Sequence, residues 1–372
     1  MKKPTALIMT LVMALSLAAC GKEAESVEVT ANEEVQEQVE VVEEEIEEEV
    51  EEEIEEEPTE EEVEEEEPAI EYVEPAAEDF VYNYDAAIEG VVITKYNGTA
   101  EAIRIPTELD GDPVKQFMLD SKLTGVSYVE IPEGITDFKF WSCSDLVKVT
   151  LPNNITSIGD DAFYGCSSLA EITIPDSVTS IGDNAFNNCS SLTEVTIPDS
   201  VTSIGSSAFS GCSLTEITIP DSVTSIGSSA FYGCSSLTEI TLPNSITSIE
   251  GSTFLNCSSL TEITIPNGVT IIGGAAFSGC GSLTSITIPE GVTAIDGEAF
   301  FYCSSLREIT IPDSVTAIGG RVFYNCSSLR EITIPNSAAK IWPGAFVGCD
   351  GLTVTYQGQK YTHANDPDHW WN

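Results

Sequence analysis

Residues 169–191 read Leu169-Ala170-Glu171-Ile172-Thr173-Ile174-Pro175-Asp176-Ser177-Val178-Thr179-Ser180-Ile181-Gly182-Asp183-Asn184-Ala185-Phe186-Asn187-Asn188-Cys189-Ser190-Ser191, and at Leu192 the pattern starts again. Near the end of Leu169–Ile174 the alternation has period two, so Ile172 and Ile174 face inward while Glu171 and Thr173 face outward. Pro175 has no N–H and ends the hydrogen-bonded ladder. Asp176-Ser177 makes a turn, after which Val178 and Ile181 return to the interior from the opposite side. Gly182 turns the chain again. Asp183 is placed to cap a short helical turn on which Ala185, Phe186 and Cys189 share one face. The equivalents of Gly182 are Glu250, Asp296 and Trp342 in three copies, so that position does not demand a positive φ.

The repeat organises most of the chain. Cys143, Cys166, Cys189, Cys212, Cys234, Cys257, Cys280, Cys303, Cys326 and Cys349 recur every 23 residues with one gap of 22, and a phenylalanine precedes each by three. No single unit can bury its own apolar face, so a core exists only when units stack. The expected fold is an α/β solenoid: a right-handed leucine-rich-repeat coil with one parallel strand and a short helical turn per ~23 residues. At ~4.8 Å per strand the resulting sheet is ~50 Å long. Two irregularities, the missing spacer in Cys212-Ser213-Leu214 and the shortened unit between Pro132 and Pro152, fall outside the strand and are left to loops.

The pattern Ile-Pro-x-x-Val-x-x-Ile-Gly-x-x-Ala-Phe-x-x-Cys-x-x-Leu resembles the BspA-type leucine-rich repeats of bacterial and protist surface proteins. Ile88-x-Gly90-x-x-Ile93-Thr94-x-Tyr96-x-Gly98 is similar to that family's N-terminal cap, and Tyr356-x-Gly358-x-x-Tyr361 to its closing strand. The resemblance implies adhesion or protein binding at a cell surface and fixes no ligand.

The two ends of the chain have other roles. Lys2 and Lys3 precede an apolar run, Ala6 to Leu17, too short for a permanent membrane span. Leu17-Ala18-Ala19-Cys20-Gly21 resembles the lipobox of bacterial lipoproteins, which implies that Cys20 becomes the lipidated first residue of the mature chain and anchors it to the membrane. The formal net charge of −48 is concentrated in residues 23–79, with 29 Glu, one Asp and no Lys or Arg. Glutamates at i, i+3 and i+4 repel, and too few apolar side chains offset the chain entropy. This stretch therefore reads as an extended, disordered tether. The expected division is a signal peptide at 1–19, lipidated cysteine and acidic tether at 20–79, and N-terminal cap with a degenerate repeat at 80–130. Repeats follow at 131–351, with a C-terminal cap and tail at 352–372.

Few residues point to chemistry. The repeat cysteines lie side by side and parallel, whereas a disulfide needs converging Cβ vectors, so they read as a buried ladder of small hydrophobes. No Cys-x-x-Cys or Cys/His pairing suggests zinc, and no cofactor motif is present. His363 and His369 sit in the tail with no nucleophile placed beside them, and Trp370 and Trp371 are expected to cover the open end of the coil. The chain is not expected to be an enzyme.

The outward strand positions form two candidate ladders on the presumed concave face. One holds Glu171, Glu194, Glu216, Glu239, Glu262, Glu308 and Glu331, with Lys148 and Ser285 also in the row. The second is threonine throughout, including Thr173, Thr196, Thr218, Thr241 and Thr264. These are the candidate ligand-binding residues for an extracellular protein or glycan. The alternative is a passive surface spacer whose ladder only keeps the sheet soluble. Residues 80–372 carry 11 Lys and Arg against 32 Asp and Glu, which disfavours nucleic acid.

Overall fold

The computed structural model describes residues 70–119, 123–338, 341–365 and 370–371. The targeting segment, Cys20 and the acidic run through residue 69 lie outside these residues, as does His369. The described chain coils into a β-solenoid whose successive turns are in register.

Two parallel ladders run along it, where the sequence suggested one strand per coil. In the first, Ala102–Arg104, Tyr128–Glu130, Lys148–Thr150 and Glu171–Ile172 pair in that order. Further along, Glu216–Thr218 pairs with Glu239–Thr241, Ser285–Thr287 with Glu308–Thr310, and Glu331–Ile334 with Thr353–Tyr356. The second ladder is built from the Ser-Ile and Ala-Ile pairs after the proline turn. Ser157–Ile158, Ser180–Ile181, Ser203–Ile204 and Ser225–Ile226 form one run, and Ser248–Ile249 through Ala317–Ile318 another.

The short helical turn does not form. Among the described residues the helices are two 3-10 turns, Ala77–Asp79 and His363–Asn365, and neither lies in the repeated turn segment. The reason lies in the fate of the N–H groups. Those of Asn184, Phe186 and Asn188 donate to the carbonyls of Ser206, Ala208 and Ser210 in the next coil at 2.7–2.8 Å. A helix would need the same donors for carbonyls four residues back. Two left-handed residues per coil, such as Asn184 (φ 54°) and Asn188 (φ 60°), keep the segment kinked and the donors pointed along the solenoid. The side-chain oxygen of Asp183 likewise accepts from Ser206 N–H of the following coil, at 2.6 Å.

The glycine of the Ile-Gly pair is not left-handed either, which agrees with its replacement in three copies. Its role at several coils is close approach: a Cβ on Gly205 would lie 2.5 Å from the carbonyl carbon of Gly182. Where Glu250 stands instead, the second ladder opens between Ser225–Ile226 and Ser248–Ile249. Asp296 is accommodated with pairing intact, its N–H donating to Ile272 O at 2.9 Å.

The interior is layered by residue type. Phe140 and its nine successors stack from coil to coil, with centroids 5.3–5.8 Å apart and planes within 3–13°. Beside them the ten repeat cysteines are free and buried. From Cys166 onward each Sγ–H donates to a phenylalanine carbonyl of the preceding coil at 2.8–3.2 Å.

Both ends are closed. Phe80–Asp85 and Gly90–Tyr96 form an antiparallel hairpin, and Gly90–Tyr96 then pairs in parallel with Asp112–Met118. The fold starts before Phe80, however. Val73 bridges Ile103, and Glu74 reaches Arg104 at 3.3 Å, so the last residues of the expected tether already belong to the first coil. At the far end Gln359–Tyr361 turns back antiparallel onto Thr353–Tyr356. Trp370 and Trp371, only 2% and 3% exposed, pack against Phe346 and cover the last layer.

Candidate functional site

The first ladder places every described candidate residue on one outward face. The glutamates Glu171, Glu194, Glu216, Glu239, Glu262, Glu308 and Glu331 are all exposed, and so are Thr173, Thr196, Thr218, Thr241 and Thr264. The alternation is enforced from beneath: Ile172, Ile217, Ile240, Ile263, Ile309 and Ile332 are 3–7% exposed and hold their neighbours outward. Register is residue to residue, Glu216 opposite Glu239 and Thr218 opposite Thr241. A one-residue slip would turn the isoleucines to solvent, so burial fixes the ladder.

The face is not uniformly paired. Glu194–Ile197 and Glu262–Ile265 run alongside their neighbours without forming strands. The first of these coils is the 22-residue unit, whose missing spacer the sequence assigned to a loop. Around these two coils the face is hollowed. One depression of about 790 Å³ is lined by Glu171, Thr173, Glu194, Thr196 and Glu216, and one of about 530 Å³ by Thr241, Glu262, Thr264 and Thr287. Both reach Glu239.

Charge along this face is graded. At its N-terminal end Lys148 Nζ lies 2.6 Å from Glu171 Oε1 and closes the glutamate row. Asp176, Asp199 and Asp221, the exposed residues after each proline, add a second acidic row beside the first three coils. Asn244 and Asn267 replace them in the next two. Adjacent unit charges at ~4.8 Å repel by about 1 kcal/mol in water, less in salt. The hollow near Glu194 is therefore the more strongly acidic. The sequence reading missed the aspartate row; the position after each proline was visible but was read only as a turn.

The remaining candidates for chemistry are separated from this face. Burial pushes the thiols of Cys189, Cys234, Cys280 and Cys349 up to about 12. Cys166 is raised by its hydrogen bond with the Cys143 thiol, and by burial. Such thiols are poor nucleophiles. His363 lies 3.6 Å from Asp350 and stacks on Trp371 in the C-terminal cap. Among the described residues no His, Cys, Asp or Glu group is arranged to hold a metal ion, and no helix is long and apolar enough to cross a membrane.

A solenoid of 23-residue coils with a buried Leu/Ile/Val/Phe core and a polar strand face is a leucine-rich-repeat scaffold. Residues 114–238 and 224–353 match the family described as the BspA type leucine rich repeat region, in six copies. The chain belongs to that family. Among solved structures it is similar to the T. pallidum leucine rich repeat protein, at 33% identity over 57% of this chain and 91% of that one (TM-score 0.43). It is also similar to a leucine rich cell surface protein of Faecalibacterium prausnitzii A2-165, at 29% identity over 79% and 96% (TM-score 0.46). The pneumococcal vaccine antigen PcpA shares the fold at 17% identity over 77% and 86% (TM-score 0.53). None of the curated proteins compared with the chain matches it.

Proposed function

We propose that this protein is a non-catalytic, cell-surface binding protein, held to the membrane through a lipid on Cys20 and docking an extracellular protein by its glutamate–threonine face. The observation that carries the reading is the in-register exposure of Glu171, Glu194, Glu216, Glu239 and Glu262 beside Thr173, Thr196, Thr218, Thr241 and Thr264 along the two hollows. Repeated, shallow contacts of this kind gain affinity by acting together. The acidic rows favour a partner with a basic surface, and electrostatic attraction speeds the encounter. The lipobox-like Leu17-Ala18-Ala19-Cys20 and the acidic stretch behind it fit an anchor and spacer that hold the solenoid off the membrane.

The test replaces Glu216, Glu239 and Glu262 together by Gln and measures adhesion of the purified solenoid to host cells and matrix across a salt series. Adhesion should weaken most at low salt, where the lost electrostatic attraction is largest. A passive spacer predicts no change. Labelling of the intact cell surface, with and without Cys20→Ala, tests the anchor: the variant should leave the membrane fraction.

A further inference from the structure

The residue after each stacked phenylalanine lies on the turn segment outside both strand ladders, where Trp141 and Tyr232 are exposed, Tyr164, Phe301 and Tyr324 half-buried, and Ser210 and Ser278 buried. Along the solenoid this position holds Trp141, Tyr164, Asn187, Ser210, Tyr232, Leu255, Ser278, Phe301, Tyr324 and Val347. The aromatic members fall into three groups. Tyr164, Tyr232 and Phe301 are each three coils apart, which is ~14 Å at one strand spacing per coil. The rings at the two ends are doubled by a neighbour. Trp141 lies 6.4 Å from Tyr164 and is 52% exposed. Phe301 stacks on Tyr324 at 4.8 Å, and Tyr302 joins them at 4.7 and 5.8 Å.

Tyr302 occupies a backbone site that does not suit it. Its φ is 59°, in the left-handed region, where the other coils carry Ser142, Gly165, Asn188, Gly211, Gly233, Asn256, Gly279, Asn325 and Gly348. A bulky aromatic in that conformation is unfavourable and survives where its side chain serves a purpose. It contributes little to the core, being 48% exposed. What it does is complete a three-ring platform with Phe301 and Tyr324. No hydrogen bond engages the phenol hydroxyls of Tyr232, Tyr302 or Tyr324 among the described residues.

We infer that this turn edge is a binding site for a neutral polysaccharide, with pyranose rings stacked on the aromatic platforms at Trp141/Tyr164, Tyr232 and Phe301/Tyr302/Tyr324. Aromatic faces match the C–H faces of sugar rings, and the tyrosine hydroxyls supply hydrogen bonds to sugar hydroxyls. Spacing favours a polymer over a folded protein: the platforms are separated by Asn187 and Ser210 on one side of Tyr232 and by Leu255 and Ser278 on the other, whereas a protein interface needs a continuous apolar centre. A chain of repeating units meets separated platforms without filling the gaps, and its contacts combine. The net −21 on residues 80–372 disfavours a polyanion.

The test is native affinity electrophoresis of the full chain in gels containing hydroxyethyl cellulose, arabinoxylan or laminarin. At least one should retard the wild-type chain. Tyr302→Asn with Tyr324→Ser installs residues that other coils already carry at these positions, so folding is retained and the thermal midpoint holds or rises. That variant should lose affinity about tenfold, the equivalent of one ring's stacking. Trp141→Ser should lose affinity too, since the platforms act together, while the Glu216, Glu239 and Glu262 triple Gln variant should bind as wild type. The inference is overturned if none of the three polymers retards the wild-type chain, or if the folded Tyr302/Tyr324 variant is retarded equally. It is also overturned if the glutamine variant is the one that loses retardation, or if the aromatic variant loses protein-mediated adhesion instead.

Discussion

A Cβ built on Gly205 would lie 2.5 Å from Gly182 C and 2.6 Å from Asp183 N, whereas one on Gly159 meets nothing nearer than Asp137 Oδ1 at 3.8 Å. The two glycines hold the same place in different coils, and neither has a positive φ. Alanine should therefore act in opposite directions at the two sites. Gly205→Ala forces two coil backbones apart and should cost about 1–3 kcal/mol. Gly159→Ala should be neutral or stabilise by about 0.5 kcal/mol through the unfolded chain. Urea denaturation of the two variants, compared by midpoint, checks the pair. The difference arises because Gly159 follows the shortened unit, whose Asp137–Lys139 strand leaves room that a full coil fills with backbone.

Within one coil the elements divide the labour: two short strands and a kinked turn each send N–H donors to a neighbouring coil, and the thiol and phenyl layers fill the space between. The thiol layer makes the fold sensitive to alkali. Several native thiols are held near 12, while an unfolded cysteine ionises near 8.5. A raised native value means that the contribution to stability is complete below ~8.5 and is lost as pH climbs toward 12, at about 1.4 kcal/mol per pH unit for each buried thiol. Denaturation midpoints should fall steeply between pH 9 and 11, and less steeply for Cys234→Ala; at pH 7 a thiol reagent should label the native solenoid far more slowly than the denatured chain. Much of this was legible in the sequence, because the period of Cys189 and Phe186 assigns burial by position alone. The turn was not. Asp183 and Ala185 suit a helix locally, but the inter-coil bonds that claim the N–H groups of Asn184 and Phe186 exist only once a second coil is present. The strand face was readable from Glu171 and Thr173, since alternation sets facing. The aromatic edge was not, because Tyr232 and Tyr302 stand out only when the turn geometry shows where they point.

At the scale of the whole molecule, each coil touches only its neighbours, so damage should stay local. Replacing Trp370 and Trp371 by Ala uncovers Phe346 and should destabilise the last coils by about 3–5 kcal/mol per tryptophan. Hydrogen exchange should accelerate there while the coils around Phe209 keep their protection. The acidic stretch should be dispensable to the fold: a chain beginning at Ala69 should melt within a degree or two of one beginning at Gly21, whereas one beginning at Phe80 loses the Val73 bridge and the Glu74–Arg104 pair and should fray at its first coil. The ladder architecture also has a mechanical side. A solenoid pulled from its two ends peels rather than shears, since the inter-coil bonds lie along its axis and break a coil at a time. Each released coil of 23 residues extends to about 80 Å. Single-molecule stretching should show a regular series of small, nearly equal steps of that length, and a protein held between a membrane and a partner in flowing fluid would yield gradually instead of letting go.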